Sequence, residues 1–254
     1  MDLGIKGKTA IVCASSKGLG KGCAAALAEA GCDVVLNGRD ASVLSATAAD
    51  LRNRFGVRIT EVAGDVSLPD VQKALIAAAP KADILVNNNG GPPRRDFYAI
   101  DRDAIVDGVT RNMITPIELI QALLGGMTER GFGRIVNITS LSVYMPIDGL
   151  DVSSGARAGL TAFLGGIARR VASHNVTINN LLPGKIDTDR LKSSFPADVP
   201  REKRLAQLVA DIPGGRLGTA EEFGQVCAFL CSVHAGYLTG QNIPVDGGLY
   251  TSAF

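Results

Sequence analysis

Short apolar runs alternate with longer segments of helical periodicity along the whole chain, and most runs end in a small-residue or polar turn. The pattern predicts strands over residues 8–13, 33–37, 58–62, 83–86, 134–138, 177–181 and 242–245. It predicts helices over 21–30, 41–55, 102–128 and 154–172. Two further helices are expected to begin at Ser67, as a capping residue before Pro69, and at the capping box Thr219-Ala220-Glu221-Glu222.

Strands and helices alternate without an internal repeat, a low-complexity tract or a linker. The fold class is therefore expected to be α/β, with residues 1–254 forming one doubly wound, Rossmann-like domain whose parallel sheet carries helices on both faces. In this architecture a ligand lies outside the carboxyl ends of the strands. The polar residues at those predicted ends are the candidates for function, namely Lys17, Arg39, Asp65, Asn88, Ser140 and Lys185.

The turn after the first predicted strand is rich in serine and glycine and leads into an alanine-rich helix. Gly18, Gly20 and Gly22 permit the backbone to approach a pyrophosphate, which then lies against the free N–H groups of the helix N-terminus. Ser15 and Ser16 are expected to add hydroxyl donors. Because glycine-rich turns also serve close packing, a purely structural role is the alternative.

The composition limits the classes of function. The 254 residues are 46% hydrophobic with a net charge of +1 and no basic or acidic block, so we expect no binding to nucleic acid or to an anionic membrane. The chain has neither a signal segment nor a membrane-spanning apolar run, which predicts a soluble cytoplasmic protein. Five cysteines without a CxxC pair and two histidines predict buried free thiols and no metal site.

The least regular segment lies between the sixth predicted strand and the helix that begins at Thr219. Residues 188–215 carry Pro196, Pro200 and Pro213 together with mixed charge. One interpretation is a mobile lid over a substrate pocket. The alternative is a solvated surface excursion, and composition does not separate the two.

The order and spacing of these residues resemble the short-chain dehydrogenase/reductase family over nearly the whole chain. The matching features are the glycine loop, Asp65-Val66, Asn-Asn-x-Gly at 87–90, Asn112, Ser140, Pro183-Gly184-Lys185-Ile186-x-Thr188, and the segment 240–248. The resemblance implies a small-molecule substrate and a homo-oligomer, a tetramer or a dimer, built from the long helices. Where the family has Thr-Gly this chain has Cys13-Ala14, and the extra methyl group is tolerable if φ of Ala14 is negative.

The resemblance also implies a dinucleotide cofactor, and the charges favour NADP(H) over NAD(H). A carboxylate after the second strand favours a free ribose 2′-hydroxyl, whereas arginine favours a 2′-phosphate. Arg39 follows that strand and Lys17 is expected to reach the same phosphate, although both also fit ordinary surface charges. The residues that the resemblance assigns to the cofactor are Ser15, Ser16, Lys17, Gly18, Leu19, Gly20, Arg39, Asp65 and Val66 beside the adenine, Asn88, Gly90, Arg157, Pro183, Gly184, Ile186 and Thr188.

The catalytic positions depart from the family pattern. Ser140 and Asn112 match the serine that holds the substrate oxygen and the asparagine that anchors a relay water, but the tyrosine and lysine positions hold Ser153 and Arg157. A serine hydroxyl is a far weaker acid than a phenol, and arginine does not release its proton. The usual tyrosine–lysine mechanism therefore cannot operate in this chain.

Three ways to compensate for the missing tyrosine are open. The phenol of Tyr144 would have to turn toward the substrate oxygen, and a pocket-lining role is the alternative. Asp148 or Asp151 would act as acid or base if burial raised its pKa, against the alternative of a solvated loop. The third possibility is that the site serves a reaction other than carbonyl reduction.

The first hypothesis is therefore an oxidoreductase that transfers a hydride between NADP(H) and a carbonyl or alcohol with a non-standard proton donor. The second is a non-redox enzyme: a lyase, an isomerase, or a relative of the halohydrin dehalogenases, which resemble this family and carry arginine at the position of Arg157. The third is a dinucleotide-binding protein without reductase activity. The substrate pocket is expected within residues 91–98, 141–150 and 185–205, where the Arg94-Arg95 pair hints at an anionic substrate.

Overall fold

Seven parallel strands form one sheet in the computed structural model, which describes residues 1–192 and 200–252. The strand order is β3-β2-β1-β4-β5-β6-β7, so the direction of winding reverses between β1 and β4 and a crevice opens at their carboxyl ends. This arrangement confirms the predicted α/β fold with a parallel sheet. The strands are β1 (Thr9–Val12), β2 (Asp33–Gly38), β3 (Ile59–Ala63), β4 (Ile84–Asn87), β5 (Gly133–Ile138), β6 (Val176–Pro183) and β7 (Asn242–Val245).

Helices cover both faces of the sheet and enclose two apolar cores. One core packs beneath α1 (Gly18–Glu29), α2 (Ala41–Phe55) and α9 (Ala220–Cys231). The other packs beneath α3 (Pro69–Ala78), α5 (Thr115–Glu129) and α6 (Asp151–Val171). The remaining helices are α4 (Arg102–Val109), α7 (Asp189–Lys192) and α8 (Arg201–Val209). Within the described residues, no helix is both long and apolar enough to span a bilayer.

The helix predicted over residues 102–128 is interrupted. A π-helical segment, Thr110–Ile114, separates α4 from α5, and the N–H of Thr115 donates to the carbonyl of Thr110 five residues earlier. Pro116 supplies a physical reason, because it has no N–H for the carbonyl of residue 112 and its ring would clash with that carbonyl in a regular α-helix. The wider turn relieves this clash.

The helix predicted to begin at Ser67 begins instead at Pro69, and its N-cap, Leu68, makes no side-chain hydrogen bond. Ser67 Oγ donates to Asp65 Oδ1 at 2.6 Å, so the serine supports that carboxylate and does not cap the helix. The second predicted start is confirmed, because Thr219 and Glu222 form both hydrogen bonds of the capping box on α9.

Gly22 and Gly224 allow α1 and α9 to touch at the backbone. A Cβ atom on Gly22 would lie 2.0 Å from the carbonyl oxygen of Ala220, and one on Gly224 would lie 2.2 Å from the carbonyl oxygen of Gly22. Gly22 therefore has the packing role named above as the alternative. All five cysteines are buried free thiols, as the sequence predicts.

The predicted lid is described in part. Residues 193–199 lie outside the described residues, and the flanking parts form α7 and α8. A lid movement stays a prediction.

Candidate active site

The loop after β1 turns at Ala14, whose φ is +44°. The Ala14 N–H donates to Asn37 Oδ1 (3.1 Å), and the Ala14 carbonyl accepts from Asn88 Nδ2 (3.1 Å). These two side chains hold the backbone in the left-handed region, so the expectation of a negative φ is wrong. The conformation costs roughly 1–2 kcal/mol for alanine, which the two hydrogen bonds help to offset.

Ser15 shapes this loop from inside. Its hydroxyl donates to the carbonyl of Val12 (2.7 Å) and accepts from the N–H of Asn37 (3.0 Å), and the side chain is fully buried. A hydroxyl contact from Ser15 to a phosphate does not fit this geometry. Gly20 packs α1 against the turn, because a Cβ atom there would lie 2.3 Å from the Ala14 carbonyl oxygen. Leu19 is half-buried against the core.

Ser16, Lys17 and Gly18 form the accessible part of the loop. Lys17 is exposed at the N-cap of α1, where no side chain caps the helix and the first turn has no acidic residue. Gly18 has φ +55°, and a Cβ atom on it would lie 3.5 Å from Thr188 Cγ2 across the cleft. A Cβ atom on Gly90 would meet no atom within 4 Å, so the backbone there is open. An uncapped helix N-terminus beside a cation and open backbone suits a pyrophosphate.

Arg39 is exposed where β2 ends. The next residue, Asp40, caps α2 by accepting hydrogen bonds from the N–H groups of Ser42 (3.0 Å) and Val43 (3.2 Å). Hydrogen bonds from Ser42 and Val43, and more weakly the charge of Lys17, lower the pKa of Asp40. Two cations thus lie near this carboxylate. Of these two cations, Lys17 lines a cavity of about 580 Å³, whose wall also includes Ser16, Lys21, Ser42 and Thr47.

Asp65 forms an ion pair that the sequence does not predict. Its Oδ2 accepts from Arg111 Nη1 at 2.8 Å, and Arg111 Nε also donates to Asp107 at 2.7 Å. Burial raises the pKa of Asp65, but hydrogen bonds from Ser67 and Arg111 outweigh it and lower the pKa overall. Val66, beside it, is buried. The interaction is invisible in the sequence because Asp65 and Arg111 are distant along the chain.

Four asparagines form a hydrogen-bonded ladder across β4 to β7. Asn87 Nδ2 donates to Asn137 Oδ1 (2.9 Å), and Asn137 Nδ2 donates to Asn180 Oδ1 (2.9 Å). Asn180 Nδ2 in turn donates to Asn242 Oδ1 (2.7 Å). Aligned amides polarise one another, and the free acceptor at the end of the ladder is Asn87 Oδ1. The asparagine ladder stiffens the edge of the sheet that borders the site. Sequence reasoning missed it because the four asparagines lie on four separate strands, which only the folded sheet aligns.

Ser153 and Arg157 lie one turn apart on α6. Arg157 Nε donates to Ser153 Oγ at 3.1 Å, and Arg157 Nη1 donates to the carbonyl of Ile138 at 2.6 Å. Arg157 is only 8% exposed, and burial followed by the charge of Arg190 lowers its pKa to about 10. Arg157 is therefore still a cation at neutral pH, held by one hydroxyl and one carbonyl oxygen.

Ser140 follows β5 and caps a short 3₁₀ turn, Leu141–Val143. Its Oγ accepts from the N–H of Ser142 at 3.1 Å, as Ser153 Oγ accepts from Arg157. Each hydroxyl hydrogen is thus left to donate to a substrate oxygen. These donors and the nearby cation can polarise a carbonyl, but none of them is an efficient acid at neutral pH.

Asn112 lies in the π-helical segment, where its Nδ2 donates to the carbonyl of Gly108 at 3.2 Å. Its Oδ1 is buried and has no hydrogen-bond partner among the described residues, and the same holds for Asn87 Oδ1 and Thr115 Oγ1. Together with Arg157 these three side chains line part of a small cavity of about 20 Å³. A polar cavity of this size suits one small hydrogen-bonding group such as water.

Tyr144 is held away from the role of proton donor. Its hydroxyl donates to the carbonyl of Asn242 at 3.2 Å, and its ring stacks on Tyr250 with centroids 5.0 Å apart. Asp148 and Asp151 are exposed. The pocket-lining and solvated-loop alternatives therefore fit this geometry. A cavity of about 880 Å³ includes Tyr144, Asp148, Asp151, Arg94 and Arg95 in its wall.

The segment after β6 borders the other side of the cleft. Pro183 ends the strand, and the N–H of Gly184 donates to the carbonyl of Val245 at 3.0 Å. Ile186 is buried. The Lys185 ammonium forms an ion pair with the Asp211 carboxylate, so this candidate from the sequence is engaged with α8 and the segment that follows it.

Comparison with known proteins assigns the family. A family model described as enoyl-(acyl carrier protein) reductase matches residues 13–250. The 3-oxoacyl-[acyl-carrier-protein] reductase FabG of Pseudomonas aeruginosa is 34% identical over 254 residues, covering 98% of this chain and 100% of that protein. The FabG protein of Vibrio cholerae is 34% identical over 248 residues, covering 98% of this chain and 99% of that protein. The chain belongs to this family of short-chain dehydrogenases/reductases, which confirms the family resemblance.

Solved structures agree with this assignment. L-sorbose reductase from Gluconobacter frateurii, complexed with NADPH and L-sorbose, is 29% identical with a TM-score of 0.94, covering 99% of this chain and 100% of that one. The 3-oxoacyl (acyl-carrier-protein) reductase from Agrobacterium tumefaciens C58 with NADP bound is 29% identical with a TM-score of 0.89. The match covers 97% of this chain and 95% of that one. The backbone of the whole domain is thus shared with dinucleotide-binding reductases.

Proposed function

We propose that this protein is an NADP(H)-dependent oxidoreductase that transfers a hydride between the cofactor and a carbonyl or alcohol substrate without a catalytic tyrosine. The observation that carries the proposal is the uncapped N-terminus of α1 beside the exposed Lys17. Support comes from the relatives and from the NADPH and NADP bound by the similar structures.

The cofactor residues fall into three groups. Ser16, Lys17 and Gly18 would hold the pyrophosphate, with Arg39 beside a 2′-phosphate. Asp65 and Val66 would flank the adenine. The nicotinamide half would be bordered by Asn88, Gly90, Arg157, Pro183, Gly184, Ile186 and Thr188. When bound, NADPH supplies a hydride to the carbonyl carbon.

The side chains of the site would stabilise negative charge on the substrate oxygen. Ser140 and Ser153 donate hydrogen bonds to that oxygen, and Arg157 supports Ser153 with a fixed positive charge. The proton that completes the alcohol comes from solvent water, since the described site offers no phenol for this step. General acid catalysis contributes roughly 10²–10⁴-fold, so carbonyl reduction is expected to be slower by about that factor than in a tyrosine-containing enzyme.

The Ser153–Arg157 pair also favours a second candidate, a dinucleotide-binding protein without reductase activity. In that case the cofactor binds and no carbonyl is reduced. The non-redox candidate, a lyase, an isomerase or a dehalogenase-like enzyme, would use the serine donors and the cation to hold an oxyanion without hydride transfer.

The test is the double substitution Ser153→Tyr with Arg157→Lys, assayed by NADPH oxidation on a panel of ketones and aldehydes. Slow turnover by the natural protein and an increase in kcat of about 10²–10⁴-fold in the double variant support the first candidate. NADPH binding with turnover only in the double variant supports the second. If neither NADPH nor NADH binds, the non-redox class takes first place.

We also infer a homo-oligomer. Apolar side chains on α4, the π-helical segment and α6 are 42–52% exposed, namely Ile105, Val106, Ile114 and Phe163. Burying such a face in a second copy is favourable by roughly 25 cal/mol per Å² of apolar surface. Light scattering on the purified protein measures whether it is a monomer, a dimer or a tetramer. The cytoplasmic location stays a prediction.

A further inference from the structure

Arg111 joins three segments of the chain. Its Nη1 donates to Asp65 Oδ2 at 2.8 Å, beyond the end of β3, and its Nε donates to Asp107 Oδ1 at 2.7 Å, on α4. Its main-chain carbonyl accepts from Asn89 Nδ2 at 3.4 Å, beyond the end of β4. A side chain that only braced α4 would need Asp107 alone. The ion pair with Asp65, 46 residues away in sequence, connects Arg111 to a residue expected beside the adenine.

The Asp65 carboxylate is held at both of its oxygens. Oδ1 accepts from the N–H of Ser67 at 3.0 Å and from Ser67 Oγ at 2.6 Å, and Oδ2 accepts from Arg111. A carboxylate has about four acceptor positions, so these bonds leave about one, on Oδ2. The contacts from Ser67 are local in sequence, and among the described residues it is Arg111 that fixes Oδ2. The orientation of the remaining acceptor position therefore depends on Arg111.

The Arg111 guanidinium also borders the cleft. Arg111 lines the small cavity of about 20 Å³, and so does Val66, which is expected beside the adenine. The side chain of Arg111 is 27% exposed and that of Asp65 is 18% exposed, so the pair is accessible to a ligand yet partly shielded from water. Partial burial strengthens a charge-assisted hydrogen bond, and the planar guanidinium fixes the direction of each N–H. A hydrogen-bonding group held in this way can select a ligand by its pattern of donors and acceptors.

The remaining acceptor position on Asp65 suits an amino group. The 6-amino group of adenine donates hydrogen bonds, whereas hypoxanthine carries an oxygen acceptor at the same position. A fixed carboxylate oxygen would bond the amino group but would oppose the oxygen of hypoxanthine, acceptor against acceptor. A carboxylate that is free to turn could instead reach the ring N1–H of hypoxanthine. Discrimination between the two bases therefore requires that the carboxylate be held still.

We propose that Arg111 is a positioning residue for the adenine of the cofactor, which fixes Asp65 Oδ2 so that this oxygen accepts from the 6-amino group. This role rests on the cofactor binding of the proposed function, and it goes further by naming the residue that sets the selection of the base. It does not depend on hydride transfer, so it is tested by binding alone.

The test compares NADPH with its hypoxanthine analogue, reduced nicotinamide hypoxanthine dinucleotide phosphate, by fluorescence titration of the purified protein. The natural protein is expected to bind NADPH about tenfold more tightly than the analogue. In Arg111→Met this ratio of affinities should fall to about threefold or less, mainly because NADPH binds more weakly. Asp107→Ala is the matched control, because it removes only the more exposed ion pair of Arg111, and it should keep the ratio at about tenfold.

The ratio of affinities separates positioning from general support of the fold. A loosened fold in Arg111→Met would weaken the binding of both cofactors by the same factor and leave the ratio unchanged, which would overturn the proposal. Equal binding of the two cofactors by the natural protein would overturn it as well. If NADPH binds with the expected ratio but no ketone or aldehyde is reduced, the role of Arg111 stands while the proposed hydride transfer fails. If neither cofactor binds, both fail.

Arg111→Lys replaces Arg111→Met in the test if the methionine variant does not fold. Its single ammonium group keeps the positive charge but loses the planar fork that bonds two carboxylates. The ratio of affinities should therefore still fall, to a value between those of the natural protein and of a protein without discrimination. An unchanged ratio in Arg111→Lys would overturn the proposal.

Discussion

Replacing Arg39 with alanine isolates the interaction proposed for the 2′-phosphate. Arg39 is exposed at the end of β2 and forms no ion pair among the described residues. The nearby N–H groups at the start of α2 are engaged by the Asp40 carboxylate and are not available to a phosphate. Discrimination between NADPH and NADH therefore depends on Arg39 and Lys17.

The magnitude follows from the exposure of both side chains. A charge-assisted hydrogen bond contributes about 1.5–3 kcal/mol, and an exposed one falls at the lower end of this range. Since about 1.4 kcal/mol is a factor of ten, Arg39→Ala should weaken NADPH binding about tenfold and leave NADH binding unchanged. Lys17 also lies beside the expected pyrophosphate, so Lys17→Ala should weaken the binding of both cofactors.

The assay is a fluorescence titration with NADPH and with NADH at low and high salt. Salt screens exposed charges, so the preference for NADPH should shrink as the salt concentration rises. Arg58→Ala is the matched control, because it removes an exposed arginine that pairs with Asp33 at 3.0 Å, near the amino ends of β2 and β3. An equal loss for both cofactors in Arg39→Ala, or natural protein that prefers NADH, would refute the reasoning.

Three further predictions concern stability, measured by urea unfolding. Ala14→Gly should leave the free energy of unfolding unchanged or raise it by up to about 1 kcal/mol, because the relief of left-handed backbone strain exceeds the entropy cost of glycine. A clear decrease in the free energy of unfolding would show that Ala14 is not strained. Asn137→Ala should lower the free energy of unfolding by roughly 2–4 kcal/mol, because it leaves the amides of Asn87 and Asn180 without their partner in the asparagine ladder. A decrease below about 1 kcal/mol would show that the ladder contributes little to stability. The lowered pKa of Asp65 adds stability that is present above the pKa of the unfolded chain and is lost as pH falls through the folded value. Hydrogen bonds from Ser67 lower this pKa most, and Arg111 follows, so Arg111→Met should remove part of the acid dependence, about 1 kcal/mol or less after solvent screening. An unchanged dependence of the unfolding free energy on pH would contradict the role of Arg111.

Much of the fold was predictable because its signals are local. The predicted bounds of α2 and β7 agree with the structure, and the capping box on α9 is present. Apolar periodicity and caps act over a few residues, so they can be read directly from the chain. The departures from this pattern, the π-helical segment and the start of α3 at Pro69, occur where a proline or a competing side chain alters a turn.

Motif order predicts a cofactor site at the loop after β1 and a catalytic role for the Ser153–Arg157 pair, and both stay predictions. The geometry at these places could be predicted only in part. The left-handed Ala14 and the buried hydroxyl of Ser15 depend instead on Asn37, which approaches from the neighbouring strand β2. No spacing along the chain reveals which polar group will meet another across the sheet.

By itself, then, the sequence determined the order of strands and helices and the class of fold, and it predicts that the family's catalytic tyrosine is replaced by Ser153. The tertiary structure decided which charges are compensated. It paired Asp65 with Arg111, aligned the asparagine ladder, and placed the Arg157 guanidinium against the carbonyl of Ile138. The physical reason is that secondary structure follows from near neighbours, whereas hydrogen bonds and charges at the site join groups that only the packed sheet and helices bring within reach.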